Sequence, residues 1–113
     1  MTTRIALPAD EALDAATRAQ LTRRPPIHLY RMVAHAPGLL APFMTLVAAN
    51  FEALQLSPAL REVLILRVAR HHRSQYEMHH HRGLAERAGL APALIERLLA
   101  EPAAAWAAEG GAG

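Results

Sequence analysis

A carboxylate on one apolar helix and a carboxylate–imidazole pair on the next are the groups of this chain best placed to move a proton. They lie in the run from Arg61 to Leu90, REVLILRVARHHRSQYEMHHHRGLAERAGL. Glu62 shares its helical stripe with Pro58, Ala59, Ile65, Leu66 and Ala69, and no cation stands at the spacing a helical salt bridge needs. A buried carboxylate without a partner is costly, so either a distant group pairs with Glu62 or the helix turns it outward. His79, His80 and His81 point about 100° apart along a helix and cannot share one role. His79 falls on a polar stripe and His80 at an edge. His81 lies among Met78, Leu84, Ala85 and Ala88, with Glu77 one turn before it and Ser74 two turns before it. His81 is the inward-facing histidine.

If the two helices pair antiparallel through a turn near His72 to Ser74, Glu62 and His81 stand at similar heights. Glu62, Glu77 and His81 then converge. An imidazole between two carboxylates is fixed in orientation and can relay a proton near neutral pH. The structural alternative is a core Glu–His pair that satisfies only itself. A metal centre is a third possibility, because Glu77 and His80 have Glu-x-x-His spacing. A carboxylate di-metal bundle needs two such motifs and two further Glu residues. One motif is present, and His71 and His72 sit beside arginines, as at a solvated helix end. No metal and no cofactor are expected.

The elements that must position these residues read as helices. Residues 10–22 have apolar positions at helical spacing and acids in the first turn, which predicts one N-terminal helix stopped by Pro25-Pro26. A short helix is expected from Ile27 to Ala36, and another from Pro37 to about Leu54 with Pro42 near its start. Ser57-Pro58 is a capping hydroxyl followed by a proline at the first helical position, so a helix is expected from Pro58 to about His71. It is apolar nearly all round and is expected to be the central buried one. The next should run from about Gln75 to Ala88 and end at Gly89. Pro92 opens one to about Ala100, and the tail PAAAWAAEGGAG should add a short helical segment. No stretch alternates in polarity long enough to be a strand.

Composition agrees with an all-α fold, a small antiparallel helical bundle of about five to six helices. Of 113 residues 52% are hydrophobic but only 4% aromatic, so the core is aliphatic and rich in the strong helix formers Ala and Leu. One domain over residues 1–113 is expected, with 1–9 and 103–113 peripheral or flexible. There is no cysteine, which excludes disulfides, thiolate nucleophiles and thiol redox chemistry. No apolar run approaches the roughly 20 residues of a membrane span. The first residues lack the charged start and apolar core of a signal peptide. A cytoplasmic protein without a membrane partner is expected. The net charge is +2 and every basic residue is Arg, scattered along the chain rather than gathered on one arm. That pattern argues against nucleic acid as a partner.

The run Leu56 to Leu90, LSPALREVLILRVARHHRSQYEMHHHRGLAERAGL, resembles the carboxymuconolactone decarboxylase and alkylhydroperoxidase-D superfamily. The shared features are a Leu-Ser-Pro helix start, an Arg-Glu pair in the buried helix, a Tyr-Glu-x-x-x-His segment and an Ala-Gly-Leu helix end. Met78 stands where a tryptophan is usual. Upstream, His35-Ala-Pro-Gly-Leu-Leu-Ala-Pro-Phe43 is similar to the preceding helix of the family. The resemblance covers about Arg4 to Pro102.

It implies a carboxymuconolactone decarboxylase-like fold. The Glu, Cys-x-x-Cys and His of the peroxidase branch would fall on Glu62, Ser74, Glu77 and His81. Both cysteines are replaced, so thiol peroxidase chemistry is excluded. The decarboxylase branch implies cofactor-free proton transfer, a decarboxylation or isomerisation, on a small carboxylated lactone or related acid. The resemblance makes Glu62, His81 and Glu77 the candidate catalytic residues, and Ser74 and Tyr76 the candidate substrate contacts. An Arg would hold the substrate carboxylate. It also implies a homo-oligomer, a trimer or hexamer, as the partner of each chain. The alternative to a lyase is a non-catalytic helical oligomerisation or binding module, which would carry a peroxiredoxin-type label by homology only.

Overall fold

In the computed structural model of the protein, residues 3–100 and 102 are described. Among them every regular element is helical, as expected for the all-α class. They are a 3₁₀ turn at Asp10–Ala12 and six α-helices: α1 Ala15–Leu21, α2 His28–Val33, α3 Pro37–Glu52, α4 Pro58–His71, α5 Gln75–Arg87 and α6 Pro92–Ala100. The expected helical segment after Pro102 and the C-terminal periphery lie outside the described residues. The chain forms two compact units that meet in sequence at Leu54 and Gln55.

In the first unit the single helix expected over residues 10–22 is broken. Asp14 is extended (φ −70°, ψ 164°) and caps α1, its side chain accepting from the Thr17 N–H at 2.7 Å. That capping holds the Asp14 carboxyl below its ordinary value. The acids Asp10 and Glu11 therefore sit in the 3₁₀ turn ahead of the helix. The entering segment is tied to α2: Arg31 donates to the Pro8 carbonyl and to the Asp10 carboxylate, and His35 Nε2 lies 2.8 Å from the Ala6 carbonyl. Leu13, Tyr30, Ala34, Leu40 and Met44 form the core. Tyr30 and Phe43 meet edge to face with centroids 6.4 Å apart. Pro42 lies inside α3, which continues past it.

The second unit is built by α4, α5 and α6. The start of α4 is as the Ser57-Pro58 pair implies: the Ser57 hydroxyl accepts from the Leu60 N–H at 3.2 Å. One face of α4, made by Glu62, Leu66 and Ala69, is buried. Leu66, Ala85, Leu90, Ile95 and Leu98 form the core between the three helices. α4 is not buried all round, however: Leu60, Leu64 and Val68 are 46%, 48% and 59% exposed. Two partner helices within the unit cover one side of α4, and its apolar character on the other side reaches the surface.

Two turns of the same kind close α4 and α5. After α4 the Ser74 N–H donates to the Ala69 carbonyl and the Arg73 N–H to the Arg70 carbonyl. After α5 the Leu90 N–H donates to Ala85 and the Gly89 N–H to Glu86. Both are Schellman closures, which place one residue at positive φ. That residue is Gly89 at φ 91° in one and Arg73 at φ 55° in the other. A side chain in this region costs roughly 1–2 kcal/mol. A Cβ on Gly89 would meet nothing within 4 Å, so the penalty there is one of backbone alone. Gly89→Ala should therefore destabilise the protein by about 1–2 kcal/mol, and Arg73→Gly should stabilise it by up to about 1 kcal/mol. Denaturant unfolding of the two variants checks both signs.

Candidate active site

The three-residue turn between α4 and α5 makes them antiparallel neighbours and brings Glu62 beside His81. The Glu62 side chain is fully buried. Its Oε2 lies 2.7 Å from His81 Nδ1, and its Oε1 accepts from Arg61 Nε at 3.0 Å. The Arg61 side chain is only 13% exposed. The carboxylate is thus met from two directions. His81 is the distant partner that Glu62 required. Arg61 was missed because helical pairing is sought three and four residues away. A long guanidinium arm on the adjacent residue can still fold back alongside its neighbour.

The other face of the His81 ring meets Glu77, with Nε2 and Oε2 3.4 Å apart. Glu77 is held in the first turn of α5, whose N-terminus is capped by Ser74. The Ser74 hydroxyl accepts from the Glu77 N–H at 3.4 Å. Ser-x-x-Glu is the sequence of a capping box, in which the Glu side chain reaches back to the N–H of the cap residue. Here the Ser74 N–H is already bonded to Ala69. The Glu77 carboxylate is released from that duty and faces His81.

Arg61, Glu62, His81 and Glu77 form a line in which positive and negative groups alternate when the imidazole is protonated. With a neutral imidazole donating from Nδ1 to Glu62, the bare Nε2 would face a carboxylate oxygen. The line ends at a pocket. A cavity of about 360 Å³ is lined by Leu64, Ile65, Val68, Ala69, His72, Ser74 and Glu77. Glu77, 38% exposed, brings the line to this apolar cavity, while His81 is 14% exposed behind it.

The other candidates divide between the cavity and the surface. Ser74 lines the cavity, whereas the Tyr76 ring lies 4.4 Å from the His80 ring, tilted by 58°, and is absent from the lining. His71 and His72 are exposed at the end of α4, with ring centroids 5.0 Å apart. Among the described residues no group of three or more His, Asp or Glu side chains is arranged to hold a metal ion. Truncating the buried carboxylate tests how tightly the line is held. Glu62→Ala should cost about 3–5 kcal/mol, because it removes the buried acceptor that Arg61 and His81 share. Glu62→Gln, which keeps a hydrogen-bonding carbonyl, should cost clearly less. Equal, small losses in denaturant unfolding would show that the line does not depend on the charge.

No curated protein and no solved structure matches the chain. Residues 37–112 match the carboxymuconolactone decarboxylase family, a span that contains Glu62, Ser74, Glu77 and His81 and more than half of the chain. The chain belongs to the carboxymuconolactone decarboxylase family.

Proposed function

We propose that this protein is a cofactor-free proton-transfer enzyme acting on a small carboxylated lactone or related acid. The observation that supports it is the Glu62–His81–Glu77 line ending at an apolar cavity. In a decarboxylation the bond between the substrate carbon and its carboxylate breaks and CO₂ leaves. The electron pair passes into the conjugated lactone carbonyl, and a carbon of the resulting dienolate takes a proton. Glu77 is the group at the cavity wall that gives this proton. His81 refills it and Glu62 holds the ring in place, so Glu77 acts on substrate and His81 behind it.

The lining supplies the rest. The Ser74 oxygen already accepts from the Glu77 N–H, so its own O–H is left to donate to a substrate oxygen. A carboxylate among Leu64, Ile65, Val68 and Ala69 loses hydration that the departing CO₂ does not need, which favours its loss. No described arginine lines this cavity, and the His72 ring N–H is the donor in its lining that can meet the substrate carboxylate. A panel of carboxylated γ-lactones should show turnover by the wild type. Glu77→Gln and His81→Ala should each lower kcat by about 10²–10⁴-fold. Ser74→Ala should act mainly on KM. Undiminished turnover in the Glu77 and His81 variants would overturn the mechanism. A folded wild type that turns over no lactone would favour the non-catalytic module.

A second feature supports assembly of this chain with copies of itself. Leu60, Leu64 and Val68 repeat at one face of α4 and are each close to half exposed or more. A contiguous apolar stripe of this kind marks an interaction surface. Leu64 and Val68 also line the cavity, so an apposed copy would close it. Wild type should sediment as a trimer or hexamer, and Leu64→Glu as a smaller species. A monomeric wild type at micromolar concentration would count against it.

A further inference from the structure

A second cavity, of about 560 Å³, lies on a different face of α5. Its lining includes Arg70 near the end of α4, Arg73 in the turn, Gln75, His79 and Arg82 of α5, and Leu99 of α6. Gln75, His79 and Arg82 follow one another at helical spacing, on a stripe turned away from Ser74, Glu77 and His81. The two cavities share no described residue. This inference therefore stands apart from the reaction proposed above.

Three guanidinium groups converge here without a described carboxylate in the lining. Arg82 pairs with Glu96 across α5 and α6. Arg70 and Arg73 have no acidic partner among the described residues. Gathering like charges is unfavourable unless something neutralises them. Stabilising the end of α4 explains Arg70 alone, since Arg73 and Arg82 lie beyond that helix. Arg73 is held at φ 55°, where glycine would be unstrained, and its side chain reaches this cavity. Strain retained at a residue lining a cavity points to use of that side chain. The first turn of α5, at Gln75, adds the positive end of its dipole.

We propose that this cleft binds a small doubly charged oxyanion, a phosphate monoester or a dicarboxylate. The two uncompensated guanidinium groups match two negative charges. Their planar forks suit the paired oxygens of either group. A phosphate monoester carries about −1.5 to −2 at neutral pH, which fits the same count.

Calorimetric titration of the full chain with phenyl phosphate and with succinate at low ionic strength tests this. One saturable site is expected for at least one of the two, and the tighter ligand identifies the source of the oxyanion. Arg70→Gln and Arg73→Gly should each weaken binding about tenfold, as expected for a lost hydrogen bond to a charged group. Arg87→Gln, outside the cleft, should leave it unchanged. Because Arg73→Gly relieves a strained backbone, its loss of binding cannot be ascribed to unfolding, and thermal unfolding confirms its integrity. Absence of saturable binding to wild type up to about 10 mM ligand would overturn the proposal. So would equal affinity in wild type and both cleft variants.

Discussion

A carboxylate taken wholly out of water must be met by partners that arrive already placed, and Glu62 sets this condition for the second unit. Removing one charge from water in a protein interior costs several kcal/mol unless hydrogen bonds and an opposite charge replace the solvent. Arg61 supplies one bond from the same helix. His81 supplies the other, and it reaches Glu62 only if α5 returns alongside α4 in one register and one rotation. The turn length, the cap at Ser74 and the direction of the His81 ring are all consistent with that requirement. The apolar core of Leu66, Ala85 and Leu98 tolerates small slips, as aliphatic cores do. A 2.7 Å bond to a buried oxygen does not.

Much of this was legible because the signals are local. Ser57-Pro58, Gly89 and Pro92 fix the ends of α4, α5 and α6 by capping chemistry that depends on few neighbours. The inward position of His81 followed from a stripe of Met78, Leu84 and Ala85. The N-terminal helix was misread for the opposite reason. Acids at Asp10 and Glu11 look like a first helical turn, but Asp14 competes for the same backbone by capping Thr17, and its local hydrogen bond broke the element. Burial of α4 was overstated because hydropathy counts apolar faces without counting the helices available to cover them. Arg61 escaped notice because its contact depends on side-chain reach rather than on helical periodicity.

In this family member a serine and a carboxylate occupy positions where the resemblance places a pair of thiols. The exchange removes thiol redox chemistry and leaves a hydroxyl and a carboxylate at the same cavity wall. Ser74 does two things there. Its oxygen caps α5, and the capping fixes Glu77 one turn above it. The site is therefore built into the helix terminus, and its precision comes from secondary structure rather than from a loop.

The turn between α4 and α5 joins the two faces of α5. Donation from the Ser74 N–H to the Ala69 carbonyl closes α4, and the same bond occupies the donor that a capping box would offer to Glu77. The Glu77 carboxylate is thereby free to meet His81. This closure demands a residue at positive φ, and the chain places Arg73 there. Glycine would close the turn at lower cost, as Gly89 does after α5. Nothing on the Glu77 side of the helix calls for a guanidinium at that point, because Arg73 lines the opposite cavity. The backbone of one turn thus supports the Glu62–His81–Glu77 line, while its residue at positive φ lines the cavity on the other face.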